Sequence, residues 1–474
     1  MLRRIFPILI VFLTTVTLSA QTNSPYSRYG LGNIFPTTFG ASNGMGSLSA
    51  AYLTPTNINV GNPSSYAEFN SAILDVGISG RVLTLNTETE SFTSGDGNLA
   101  NLALGFPMLK NTRRHKMGIA FGLLPYSSFS YAISEEVVTD DPDLGIKQYD
   151  YVGEGDIYQI FGGLGYRFQT DTTRTIRLRD DDTKDTVIAA HIFNIGGNTG
   201  YLFGNLYNLT YASFPDVFNS QTTKLTREST VNGGLYTLGV SYQRQYIRKA
   251  GTKRDYLNWR FGGSVSPAAE IRGNQSVLWT NILKSGNYEF VTDTLYNSPD
   301  TSGNIQLPLS YQAGLSFAFF TSEIKDKNQF IIGAEYAATQ WSAYEGFQDA
   351  GVLGDSWRAS LGAEYIPKLK AARETGKENG SKYKPQLSYR LGAYTGVSNI
   401  VAENGEQLSD YGVTLGMAIP IGRNIPNFYS ASRINLFMQI GQRGGNTNFS
   451  ETYYNFGVSF SVSDSNWFER YKLN

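Results

Sequence analysis

Gly40-Ala41-Ser42-Asn43-Gly44 spells G-x-S-x-G, the pattern that presents a serine nucleophile on a strand–turn–helix elbow. Its surroundings are glycine-rich and supply no such elbow, and His115 and His191 stand near no acid that would complete a relay. The chain has no cysteine, so a zinc site would lack its usual soft ligands. No phosphate-cradling glycine loop or metal-ligand spacing occurs, which points away from an enzyme and calls for no cofactor. The aspartates of RTIRLRDDDTKDT (174–186) offer oxygen ligands for calcium, but without EF-hand spacing they read as a solvated loop. What remains is a set of scattered charges: Asp75, Arg81, Arg167, Glu335, Arg358, Glu364 and Arg390.

Each of these charges sits in a stretch where apolar and polar residues alternate. Leu74, Val76 and Ile78 oppose Asp75, Gly77 and Ser79; Trp357, Ala359, Leu361 and Ala363 oppose Arg358, Ser360, Gly362 and Glu364. In a strand these sets point to opposite faces. The stretches run to about ten residues and are often bounded by Tyr or Trp, matching the roughly 9–11 residues and aromatic girdles of a transmembrane β-strand. The opposite face, rich in Gly, Ser, Asn and mixed charges, suits the interior of a barrel, where such charges form a hydrogen-bonded lumen network. The other reading is a soluble exported β-protein. About fourteen segments alternate: 72–86, 97–108, 115–133, 147–169, 190–213, 231–247, 256–275, 305–320, 328–346, 355–367, 383–399, 408–421, 432–443 and 452–463. The expected fold is all-β, a closed antiparallel transmembrane barrel. Helical periodicity is confined to KLKAARETGKE (368–378).

The chain opens MLRRIFPILIVFLTTVTLSA, a basic start, an apolar run and a small-residue end, the pattern of a secretory signal peptide. The domains are then a signal peptide (1–20), an N-terminal plug (21–70), the barrel (71–463) and a periplasmic tail (464–474), in a protein exported to the outer membrane. A net charge of −1 gives no footing for nucleic acid. Connections alternate in charge. Those at 110–116, 248–255, 322–328, 367–384 and 422–433 are mostly basic, whereas 87–97, 134–145, 345–356 and 402–410 are acidic with no Lys or Arg. The acidic set is expected outside and the basic set in the periplasm.

Residues 21–70 are rich in Gly, Ser and Asn and carry Tyr26, Tyr29, Phe35, Phe39, Tyr52 and Tyr66. Disordered tails tend to lack aromatics, and a fourteen-strand barrel has more interior than its wall side chains fill, so a plug is favoured over a tail. GMGSLSAAY followed by VGNPSSY and then a strand resembles the hatch of the FadL-type fatty acid and hydrocarbon transporters of bacterial outer membranes. Asn62-Pro63 matches that family's Asn-Pro-Ala, with Ser64 in place of Ala. GIAFGLLPYSSFSY is similar to the family's third strand, with Leu124-Pro125-Tyr126 near its kink. Segments 193–206, 334–347 and 355–367 resemble later family strands. The ending NWFERYKLN looks like outer membrane proteins of the Bacteroidetes type, among which some FadL-like relatives are accessory subunits of secretion machinery.

The resemblance implies a hatch in the lumen, contact with membrane lipids, and a hydrophobic small-molecule ligand leaving through a lateral opening. The alternative is a non-transporting barrel that serves other outer membrane proteins. Proline cannot donate to a ladder, so Pro63 is expected to end the last turn of the hatch and Pro125 to mark a bulge or an inward kink, and the resemblance makes Asn62 the candidate that bonds backbone groups freed there.

Overall fold

Alternation becomes a wall along Ser388–Val401, where buried and exposed residues change places one by one: Arg390 is buried while Tyr389 and Leu391 on either side are open. The computed structural model extends this to an antiparallel barrel of 14 strands. It describes residues 24–87, 91–108, 114–141, 145–177, 184–250, 253–286, 288–323, 326–346, 353–367, 387–402, 405–421, 432–445 and 450–464. The signal peptide, the 368–378 helix, the centre of the calcium-candidate loop and the tail from 465 lie outside the described residues.

The wall runs β1 (Ala72–Asn86), β2 (Ser91–Pro107), β3 (His115–Ser128, continued as Tyr131–Val138), β4 (Ile146–Arg177) and β5 (Lys184–Ser213). Next come β6 (Thr222–Ala250), β7 (Lys253–Ser266 with Ala269–Ser285), β8 (Tyr288–Leu307 with Ser310–Glu323) and β9 (Asp326–Thr339). It ends with β10 (Ser356–Ile366), β11 (Ser388–Val401), β12 (Gln407–Ile421), β13 (Ser432–Arg443) and β14 (Ser450–Asp464). β14 pairs with β1 from Asp464↔Ala72 to Ser450↔Asn86 and closes the ring. The interruptions in β7 and β8 contain Pro267 and Pro308, which lack the N–H a ladder needs. Outward side chains such as Leu361, Leu391, Val413 and Phe456 stay exposed, as a lipid-facing band requires.

β4, β5 and β6 have 32, 30 and 29 residues, roughly three times what a bilayer needs. With the outer parts of β3, β7 and β8 they rise beyond the rim that carries the acidic connections. Residues 276–304, a connection by the alternation count, are therefore mostly strand. Outside lipid both faces of a sheet are hydrated, so the apolar–polar alternation that marks a wall strand is not required there.

Candidate functional site

The 3-10 helix Pro63–Glu68 is buried through Ala67 and lies against β4 and β5. Asn62 caps it by accepting from the Ser64 N–H at 3.2 Å. Pro63 thus begins the last helical turn rather than ending it. The first helical N–H has no partner within the helix, so proline costs nothing there. Glycines on the polar face of the wall make room for this backbone. A methyl group at Gly118 would overlap the Tyr66 carbonyl, one at Gly239 the Asn62 amide oxygen, and one at Gly262 the Ala50 carbonyl.

Bonds from residues 24–70 reach strands on every side, which places this segment inside the ring. Glu335 on β9 accepts the Ser49 and Ala50 N–H groups at 2.7 and 2.6 Å. Glu364 on β10 accepts from Tyr52 Oη at 2.8 Å and from Arg390 Nε on β11 at 2.9 Å. Glu68 takes Arg167 Nη1 at 3.0 Å and Asn194 Nδ2 at 2.9 Å, with Arg260 at 4.0 Å. Gly46 N–H donates to Thr414 on β12 at 2.8 Å, and Ser24 Oγ to Glu451 on β14 at 2.6 Å. The sequence-derived lumen charges therefore do not form one wall network. Arg167, Glu335, Glu364 and Arg390 gather at separate stations around the segment, while Asp75 bonds Asn101 and Ser461, each at 3.1 Å. Glu68, Arg260, Arg443 and Glu451 were not singled out by alternation, although Arg260, Arg443 and Glu451 sit on its polar side.

Arg81 and Arg358 stand apart, in a chamber of about 430 Å3 toward the acidic rim. Arg81 lies 5.0 Å from the Tyr453 ring centre, and Arg358 stacks 3.6 Å from that of Tyr394. The Nε and Nη2 atoms of Arg358 are buried and have no hydrogen-bond partner among the described residues. Tyr26, Ile34, Phe35, Trp357 and Phe437 supply apolar lining; Asp96, Asp410 and Arg443 supply charge. A second cavity of about 230 Å3 lies beside it, and both reach Phe35 and Pro125.

At Pro125 the wall changes. Leu124 is buried and Tyr126 packs inward against a cluster containing Phe129, Ile157 and Trp341. β2 and β3 pair from Pro107↔Gly118 to Leu102↔Leu123 and no further. Beyond that rung β2 keeps only β1, while β3 keeps β4 with a register shift between Pro125 and Ser127. The freed edge of β3 pairs with Asn33 and Ile34, opposite Ser128 and Ser127, and the Phe35 N–H reaches the Tyr126 carbonyl at 2.9 Å. Asn62 does not fill this role. It lies across the lumen, donating to Ala50 O at 2.6 Å and to Val240 O on β6 at 3.3 Å. A short side chain cannot cross to β3, whereas a two-residue strand follows its edge.

Ser42 of the G-x-S-x-G stretch lies in the four-residue helix Gly40–Asn43. His115 and His191 bond Tyr166 and Tyr242 at 2.6 and 2.8 Å, both on the wall. No cluster of metal-ligating side chains occurs among the described residues.

No curated protein matches the sequence. Among solved structures, the toluene transporter TbuX of Ralstonia pickettii is similar at 11% identity and a TM-score of 0.44, covering 90% of this chain and 99% of that one. A FadL homologue of Pseudomonas aeruginosa gives 12% and 0.43, with 91% and 99% covered. The toluene transporter TodX of Pseudomonas putida gives 15% and 0.40, with 90% and 99% covered. One family model, described as BamG, matches residues 1–174 and 187–474, and its gap falls on the mixed-charge 174–186 connection. With all the rest of its length matched, this chain belongs to the BamG family.

Proposed function

We propose that this outer membrane barrel passes an amphipathic small molecule of the fatty acid class from its rim chamber sideways into the bilayer, between β2 and β3. The observation that carries this reading is the ladder that stops at Leu102↔Leu123 where both cavities reach Pro125. Hydrocarbon cannot satisfy backbone groups, so a wall strand that lets go of its neighbour must bond elsewhere. The outer end of β3 does so through Asn33–Phe35, which leaves a slit whose β3 edge is not starved of partners. Residues 24–70 act as the hatch that denies a straight aqueous path. An apolar chain fits beside Tyr26, Phe35 and Phe437, and the Arg358 guanidinium, stacked on Tyr394 with two nitrogens that make no hydrogen bond among the described residues, suits an anionic head better than a pure hydrocarbon would.

Lipid extraction and mass spectrometry of the detergent-solubilised protein test this. An anionic amphiphile near one per barrel, lost in Arg358→Gln, is expected. A wild-type protein that carries no amphiphile and takes up none of a labelled fatty acid overturns it. A second reading, an accessory barrel in an outer membrane complex, is favoured by the charged chamber wall and by the bonding of the hatch on every side. It is supported instead if the ligand-free protein purifies with a stoichiometric barrel partner.

A further inference from the structure

Beyond the acidic rim, the stretch Tyr288–Leu307 of β8 pairs along one side with Ala269–Ser285 of β7, in a register running from Tyr288↔Ser285 to Leu307↔Ala269. Among the described residues its other side carries a single bridge, Gln306↔Glu345, at the base. The backbone from 288 to 305 is therefore an open sheet edge. Tyr288, Phe290, Val291, Leu295 and Tyr296 on it are about half exposed or more.

An edge of this kind pairs with any passing strand unless it is blunted, and lysine is the usual means. Here the twenty residues hold no Lys or Arg but three carboxylates, Glu289, Asp293 and Asp300. Glu289 is held by Lys224 at 2.6 Å, while no cation among the described residues sits on Asp293 or Asp300. Pro299 next to Asp300, which has a positive φ of 59°, blunts one end, and register shifts against β7 leave Thr292 and Leu295 unopposed, yet no Lys, Arg or Pro stands between 288 and 297.

We infer that residues 288–297 are a docking edge for an extended, basic segment of a partner protein, added as a further antiparallel strand. Main-chain bonds supply the affinity and alternate side chains the selectivity. The charge on the edge chooses the occupant. A second copy of this chain would set acid against acid, which is unfavourable between opposed strands. The strands that lead into the basic connections of this chain end at the opposite rim. This surface is independent of the slit and of transport.

A synthetic ten-residue peptide alternating Lys with Val and Tyr, carrying one benzophenone, probes the edge on the full-length protein in detergent. Cross-links mapped within 288–297 are expected. The same peptide with alternate amides N-methylated keeps its charge but cannot join a ladder, and should bind at least tenfold more weakly. Val291→Lys with Leu295→Lys should weaken binding to a similar degree, with barrel folding checked by heat-modified mobility on a gel. Equal binding of the N-methylated peptide, or cross-links centred on 131–138 or elsewhere, overturns the inference.

Discussion

The two ends of the lumen treat charge in opposite ways. Toward the basic connections, Glu68 in the N-terminal segment meets a wall cation, and Glu364 meets both that segment and a wall cation, at 2.8–3.0 Å. Toward the acidic rim, Arg358 lines open volume with two nitrogens that make no hydrogen bond among the described residues, and Pro125, where the β2–β3 ladder ends, lines the same chamber. Buried charges left without partners are costly. The ion pairs at the first end hold structure, and in the proposed function Arg358 at the second is the group that meets an incoming head.

Disrupting the matched end should cost most. Glu364→Ala strands Arg390, whose side chain is fully buried, and should destabilise the barrel by about 3–5 kcal/mol, read as a lower temperature of conversion on a heat-modifiability gel. Gly118→Val forces a side chain into the Tyr66 carbonyl and should cost about 1–3 kcal/mol, with larger single-channel conductance if residues 24–70 act as the proposed hatch. A loss in Gly118→Val but none in Glu364→Ala would erase the distinction between matched charge and mere packing.

Acid should act more gently. Burial works against ionisation of Glu68, yet Arg167 and then Arg260, with the Asn194 amide, hold its carboxyl below the ordinary range. A lowered folded pKa stabilises fully above the unfolded value, about 4.3, and that stability is lost as pH falls through the folded value. Protease access to residues 24–70 should therefore be flat from neutral pH to about 5 and rise only in stronger acid. The smallest effect on stability belongs to Arg358→Gln, about 1 kcal/mol from the lost Tyr394 stack, beside the loss of bound amphiphile that the proposed function expects. A large destabilisation there would make Arg358 one more structural charge.

The wall was legible because lipid outside and a polar lumen inside impose opposite demands on alternate residues, as along Tyr389-Arg390-Leu391. The strand beyond the rim at 276–304 was not, since water on both sides removes the contrast. Within the lumen, the inward glycines at 118, 239 and 262 were visible in the alternation, but not that they admit the hatch backbone. The missing N–H at Pro125 showed in the sequence. Its partner did not, because Asn33–Phe35 bond through main-chain atoms that carry no sequence signature.

The side exit itself is tested by locking it. Ala100 and Pro125 both line the chamber and stand just past the last β2–β3 rung, so Ala100→Cys with Pro125→Cys sets a removable clasp across the slit. Uptake of a labelled fatty acid by cells should stop when the disulfide forms and return on reduction. Uptake that continues at the wild-type rate with the cross-link complete would contradict lateral passage.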